Sequence, residues 1–277
     1  LADPDAGVRQ QAALALGEFD GPAAAAALAK ALVDPEQAVA SAAADGASEL
    51  KNPAAAEPLL GLVTHSSAFV RMMVLRALKE LRCKDALKLA LAALRDADPA
   101  VRVQAVGVIG FLKLEETVPA LKVVTADGDG HVRRAAVSAL AFSSTQTATE
   151  TITRALADSD WMVREIAAES LSGTGTAANA AEPLVQALED PFWQVRLKAT
   201  RSLGRLKVAM AAPVIAKALM HAQANLRKEA AAALGEIAAP AAVPQLEAAL
   251  DDPDPDVRKN VRWALQQISS RGAAVNS

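Results

Sequence analysis

Few residues in this chain are placed to do covalent or metal chemistry. The three histidines, His65, His131 and His221, stand far apart, and no HExxH, CxxC or His-Glu pair occurs. The single cysteine, Cys83, lies between Arg82 and Lys84. Neighbouring cations can make a thiol reactive, but the plainer reading is an incidental loop cysteine. One cysteine excludes an internal disulfide framework and a cysteine-based zinc site. It fits a reducing compartment, here expected to be the cytoplasm. Gly173 and Gly175 resemble a phosphate loop only superficially, because no strand precedes them and no Lys follows. No catalytic residue, metal site or cofactor is expected.

Two stretches concentrate cations: Arg71, Arg76, Lys79, Arg82, Lys84 and Lys88, then Arg196, Lys198, Arg201, Arg205 and Lys207. Such stretches suit phosphate backbones. The formal net charge is −3, however, whereas a nucleic-acid-binding domain is normally clearly basic. Nucleic acid is therefore not an expected partner. No apolar run reaches the roughly 18 residues of a membrane-spanning helix. No signal peptide is visible.

The elements that would position any site follow from a repeat. Val-Arg recurs as Val8-Arg9, Val70-Arg71, Val101-Arg102, Val132-Arg133, Val163-Arg164, Val195-Arg196 and Val257-Arg258, with Val39-Ala40 and Leu226-Arg227 filling the gaps. The steps are 31 residues, except 32 between Val163 and Val195; the extra residue is expected in the loop Gly173-Thr174-Gly175. Five positions before each anchor stands Asp3, Asp34, Asp96, Asp127, Asp158, Asp190 or Asp252, with His65 and His221 as exceptions. A fixed period of this length signals stacked supersecondary units.

Each unit reads as two helices. In the fourth, Asp96 to Pro99 is a capping turn. Val101, Ala105, Val108, Ile109 and Leu112 then fall on one side of a helix at about 100° per residue. Val118, Leu121 and Val124 mark the second helix. Pro119 sits near its start, where a missing N–H costs nothing, and Pro58, Pro183, Pro213 and Pro244 are expected in similar places. Hydrophobic residues make up 52% of the chain but aromatics only 3%, so the core is mostly Ala and Leu, which suits close helix packing rather than strands. The fold class is all-α: an α-solenoid of about nine helical hairpins, one domain over 1–268, with a tail over 269–277. Leu1-Ala2-Asp3 matches Leu32-Val33-Asp34, so the first residues read as the end of an upstream helix. Val257 to Ile268 reads as the last Val-Arg helix, with Arg258, Lys259 and Arg262 as its solvated cap.

The pattern DxxxxVRxxAxxALG, as in Asp3, Val8-Arg9, Ala12 and Ala15-Leu16-Gly17, resembles HEAT repeats. It is most similar to the short HEAT-like repeats named from phycobilisome lyase subunits. The resemblance implies a right-handed superhelix with the Val-Arg helices on its concave side. It also implies a ladder between successive turns, formed by Asp3, Asp34, Asp96, Asp127, Asp158, Asp190 and Asp252 with Arg9, Arg71, Arg102, Arg133, Arg164, Arg196, Arg227 and Arg258. The alternative for these Arg residues is a phosphate-binding stripe, but their periodic carboxylates suit an Arg fork. Departures at Ala40, His65 and His221 are expected to weaken the ladder. One HEAT-like family, the deoxyhypusine hydroxylases, binds iron through His-Glu pairs. Here Ser66, Val132 and Ala222 follow the histidines, so that activity is not expected.

Opposite the core stripe, offsets −2, −1, +2, +3 and +6 from each anchor form the uncommitted face. They carry Phe69, Met72, Met73 and Arg76; Val103 and Gln104; His131 and Arg134; Trp161, Met162, Glu165, Ile166 and Glu169; Trp193, Gln194, Leu197, Lys198 and Arg201; and Trp263. All three tryptophans and three of the five methionines stand here. Trp and Arg dominate interface hot spots, and Met adapts to irregular partners. Three readings stay open: the tryptophans seal turns against neighbouring repeats, they bury against a second copy in a homo-oligomer, or they meet a partner protein or peptide. The mixture of Arg76, Arg134, Lys198 and Arg201 with Asp45, Glu165 and Glu169 suits a partner with apolar anchors and some acidic character. The expected function is a non-catalytic protein–protein scaffold acting through repeats three to seven. The alternative is a phycobilin or tetrapyrrole lyase-like subunit.

Overall fold

The computed structural model describes residues 1–173 and 177–275, which form helices and turns with no strand among them. Of the loop expected to absorb the extra residue, Thr174 and Gly175 lie outside the described residues. The chain divides into two compact units, Leu1–Ala139 and Leu140–Ser277.

The first unit pairs α1 (Ala6–Leu16) with α2 (Pro22–Ala31), α3 (Gln37–Glu49) with α4 (Glu57–Leu60), α5 (Ala68–Glu80) with α6 (Ala86–Ala93), and α7 (Pro99–Leu112) with α8 (Val118–Val124), followed by α9 (Gly130–Leu140). The second begins with α10 (Gln146–Ala155). It then pairs α11 (Trp161–Ser170) with α12 (Ala177–Ala187), α13 (Trp193–Arg205) with α14 (Ala212–Lys217), and α15 (Ala224–Ile237) with α16 (Val243–Ala248), ending in α17 (Pro255–Val275). The odd-numbered helices carry the Val-Arg anchors. Each packs on the next: α1, α3, α5 and α7 in the first unit, and α11, α13, α15 and α17 in the second. This is an α-solenoid architecture, in which a hairpin buries its apolar face only by stacking.

Burial follows the repeat. Eight of the anchors, from Val39 to Val257, are at most 2% exposed, while Val8 of α1 is 51% exposed. Burying one such side chain stabilises by about 1.5–3 kcal/mol. Ala at anchor +4 is fully buried in α3, α7, α9, α11, α13 and α15; a methyl there lets neighbouring helices approach. Position +5, not part of the expected stripe, is buried too, as Leu75, Val106, Val137 and Ala168. The physical reason is the stack itself. An inner helix has a neighbour on each side, so its buried sector is wider than one amphipathic stripe. At Gly204 an added Cβ would stand 2.8 Å from the Cα of Ala233, and at Gly235 it would stand 2.8 Å from Cε3 of Trp263. Glycine at these positions sets the helix spacing.

Two expectations need correction, and a third is refined. Pro58, Pro119, Pro213 and Pro244 sit in the first turn of their helices, but Pro183 lies inside α12. α12 is already helical from Ala177, where the other four helices follow a short 3₁₀ turn, so Pro183 removes an interior backbone donor. The segment expected as a tail from residue 269 is helical: α17 continues to Val275. The Asp96-to-Pro99 turn does cap α7, but the cap is Asp98, whose Oδ1 accepts from Ala100 N–H at 2.8 Å. Asp96 holds the turn instead, accepting from Asp98 N–H at 2.9 Å.

Candidate functional site

The turns between hairpins are fixed by repeated charge-assisted bonds. Arg71 is typical. Its Nη1 donates to the carbonyls of His65 and Ser66, both at 2.8 Å, in its own turn. Its Nε and Nη2 fork onto Asp96 of the next turn, both at 2.7 Å. The same fork joins Arg9 to Asp34 and Arg102 to Asp127 in the first unit, and Arg164 to Asp190 and Arg227 to Asp252 in the second. Bidentate geometry of this kind is what Arg offers and Lys does not. The Arg bond is the main reason the Asp34, Asp96 and Asp252 carboxyls are held below their usual range. For Asp127 and Asp190 burial pushes upward, and bonds from Arg and from the turn's backbone N–H more than offset it.

Bonds within the turn recur at other ladder residues. Arg133 Nη1 donates to the Asp127 carbonyl at 3.0 Å, and Asp158 accepts from Asp160 N–H at 2.8 Å. Arg258 Nη1 reaches the Asp252 carbonyl, and Asp3 accepts from Asp5 N–H at 2.9 Å. At the predicted departures the pattern changes. Ala40 brings no guanidinium, and His65 Nδ1 takes the turn bond from Ser67 N–H at 3.1 Å. Arg196 meets His221 in place of a carboxylate, Nη2 to Nε2 at 2.7 Å. Burial, then the charges of Arg196 and Arg227, hold the His221 pKa below its ordinary value.

On the uncommitted face none of the sixteen candidate partner-binding side chains is buried. In the first unit α5 presents half-buried Phe69, Met72 and Met73 beside exposed Arg76, and α9 presents exposed His131 and Arg134. Val103, Gln104 and His131 line a shallow cavity of about 330 Å³ with Pro99, Ala100 and Asp129. Arg76 lines another, also about 330 Å³, with Glu18, Asp45 and Glu49.

The second unit carries the denser cluster. Trp161 and Met162 open α11, with Glu165, Ile166 and Glu169 following on the same face, all half-buried. The Trp161 ring stacks on Phe192, with centroids 5.2 Å apart and planes 9° from parallel. The Arg164 guanidinium lies over the same Phe192 ring, 5.7 Å from its centroid. On α13 stand half-buried Trp193, Leu197, Lys198 and Arg201. Lys198 Nζ bonds Glu169 at 2.8 Å, and Arg201 forks onto Glu229 of α15 at 3.1 and 2.6 Å. Trp263, 39% exposed, leans over Gly235 of the preceding Val-Arg helix. Trp161 and Trp263 thus each spend one face on a neighbouring repeat, and Lys198 and Arg201 are ion-paired within the unit rather than free.

Sequence reasoning missed Phe192, Glu229 and the second aspartate of the Asp-x-Asp turns. Phe192 and Glu229 sit at offsets −3 and +3 of their repeats; following offsets across adjacent repeats would have paired −2 with −3 and +6 with +3. The Asp-x-Asp spacing was the visible signal for the caps: Asp98, Asp129, Asp160 and Asp254 all accept from backbone N–H two residues on. Among the described residues, no group of three or more His, Cys, Asp or Glu side chains is placed to hold a metal ion. No helix among them is long and apolar enough to cross a membrane.

Comparison with solved structures places this architecture. The E. coli protein YibA superposes with a TM-score of 0.73 at 18% identity, over 97% of this chain and 98% of that one. A Kap95p chain solved with RanGDP gives 0.67 at 13% identity, over 96% of this chain but 44% of its own length. The CpcE–CpcF complex of phycocyanin lyase from Nostoc gives 0.51 at 22% identity, over 78% of this chain and 94% of that one. A search of curated proteins finds no matching sequence. At these identities the likeness is one of fold. The sequence itself matches the HEAT-repeat model over residues 1–79, 61–141, 121–182 and 181–266, so with its anchors, its ladder and its stacked hairpins the chain belongs to the HEAT-repeat family.

Proposed function

We propose that this chain is a non-catalytic scaffold that binds a partner polypeptide on the uncommitted face of its Val-Arg helices, chiefly on α11 and α13 of the second unit. The observation that carries this reading is the collection of half-buried Trp161, Met162, Ile166, Trp193 and Leu197 on α11 and α13. Nothing in the repeat requires large apolar groups there, since other repeats place Ala, Gly, Gln or Ser at the same offsets. A contiguous apolar patch on a soluble fold usually marks an interaction site. The Lys198–Glu169 and Arg201–Glu229 pairs fix the charged border of the patch before a partner arrives, which lowers the ordering cost of binding. Stacking on Phe192 holds the Trp161 ring in one pose and has the same effect.

The test is affinity capture with the wild-type chain and with a Trp161→Ala, Trp193→Ala double variant. Loss of a stoichiometric polypeptide from the variant supports the reading; the same band from both means the surface is wrong. Visible absorbance of the captured material separates the lyase-like alternative, which requires a bound tetrapyrrole.

A further inference from the structure

We propose that the cavity beside Arg196 and His221 binds a small aliphatic monocarboxylate, whose carboxylate supplies the acceptor that aspartate supplies in a forked rung. The cavity, about 190 Å³, lies within the second unit between α12, α13, α14 and α15. Its wall is apolar: Leu188, Val214, Ile215, Ala218 and Leu226, with Leu226 only 1% exposed. Its polar lining is Arg196, His221 and Thr200, with Lys217 and Glu189 exposed at the rim. Thr200 Oγ1 is already used, donating to the Arg196 carbonyl at 2.8 Å.

The case rests on an unbalanced set of donors. In a forked rung an aspartate accepts three N–H groups: Nε and Nη2 of the preceding Arg and one backbone N–H of its own turn, as Asp190 does at 2.6, 3.1 and 2.9 Å. His221 stands where that aspartate would be. Gln223 N–H points at its Nδ1 at 3.0 Å, and Arg196 Nη2 points at its Nε2 at 2.7 Å. A neutral imidazole has one lone pair and one ring N–H, so it cannot accept both bonds. One donor is therefore frustrated, and the Arg196 charge has no carboxylate in its rung. The neighbouring Arg227 brings donors and not an acceptor: its Nη1 donates to the His221 carbonyl at 2.8 Å, and its Nε and Nη2 are committed to Asp252 at 2.7 and 2.9 Å.

An incoming carboxylate resolves the conflict. It accepts from the Arg196 guanidinium and from an Nε2–H of His221, leaving Nδ1 as acceptor for Gln223. No proton needs to leave or enter the site. The apolar wall then takes the tail. At about 30 Å³ for each water-sized group, the cavity admits roughly six heavy atoms, which is the size of butyrate. Arg pairs with carboxylate and phosphate alike, so the apolar wall, which inorganic phosphate leaves uncovered, is what favours a monocarboxylate.

Isothermal titration of the folded chain with sodium butyrate tests this, with butyramide and inorganic phosphate as controls. Saturable butyrate binding, with roughly tenfold weaker binding of both controls, is expected. His221→Asp supplies a resident carboxylate: it should abolish butyrate binding while raising the urea midpoint, so the loss is not unfolding. Arg196→Gln should also lose binding. Butyramide or phosphate binding as well as butyrate, butyrate binding by His221→Asp within about twofold of wild type, or no saturable butyrate binding would overturn the proposal.

Discussion

Replacing Asp190 by Ala isolates one rung of the ladder. Asp190 accepts Nε and Nη2 of Arg164 at 2.6 and 3.1 Å and Phe192 N–H at 2.9 Å. The two side chains of the ion pair are only 8% and 13% exposed. Removing one partner of a fully buried pair costs about 3–5 kcal/mol, whereas an exposed pair is worth about 0–1 kcal/mol. Arg164 keeps its Nη1 bonds to the carbonyls of Asp158 and Ser159, at 2.8 and 3.3 Å, and water reaches the vacated site. The expected loss is therefore intermediate, about 2–3 kcal/mol. The same turn sets Phe192 beneath Trp161, so tryptophan emission should shift in the native state as well. Urea unfolding followed by circular dichroism and fluorescence measures both. The pH dependence has a definite sign. Burial pushes the Asp190 pKa up, but its bonds and cationic neighbours bring the net value below the ordinary one. Its contribution is thus complete above pH ~4 and fades as pH falls through the lower folded value. A loss under about 0.5 kcal/mol at neutral pH, or a difference that grows on acidification, would refute the reasoning.

Three other outcomes follow from the packing. Gly204→Ala brings a Cβ within 2.7 Å of Glu236 Oε2 and 2.8 Å of the Ala233 Cα; a destabilisation of about 1–3 kcal/mol is expected by chemical denaturation. Ala238 closes α15 at φ 56°, so Ala238→Gly should relieve left-handed strain and raise stability by about 0.5–1 kcal/mol, read as a higher melting midpoint. Glu236 has its pKa raised, by burial first and then by Glu229. The folded state therefore binds that proton more tightly than the unfolded chain, and the stabilising effect disappears as pH rises through the folded value. Glu236→Gln should accordingly gain stability at pH 7 and show no gain below pH ~4.

The period of the fold is legible because every anchor reports the same environment: a Val that must be buried, an Arg that must reach the next turn, and an Asp waiting there. The ladder came from the resemblance to HEAT-like repeats rather than from spacing alone, and its departures at Ala40, His65 and His221 were visible as breaks in the motif. Partners across the stack were harder to read. Phe192 under Trp161 and Glu229 against Arg201 depend on how far one hairpin is displaced from the next, a distance set by small residues such as Gly204. Helical continuation through α17 was hidden because its last turns have no repeat to match. Pro183 misled because proline in the matching place opens α4, α8, α14 and α16 but lies inside α12. The candidate face was drawn from helical offsets, which say nothing of its commitments: Trp161, Trp263, Lys198 and Arg201 each already hold a neighbour.

The central claim is that side chains the Val-Arg helices do not spend on their neighbours are the ones a partner covers. The chain has three tryptophans, Trp161, Trp193 and Trp263, all on that face. Acrylamide quenching of their fluorescence, measured on the free chain and on its complex with a tryptophan-free version of the captured partner, reads the face directly. A marked fall in quenching on complex formation is predicted. Quenching unchanged at saturation would contradict the account.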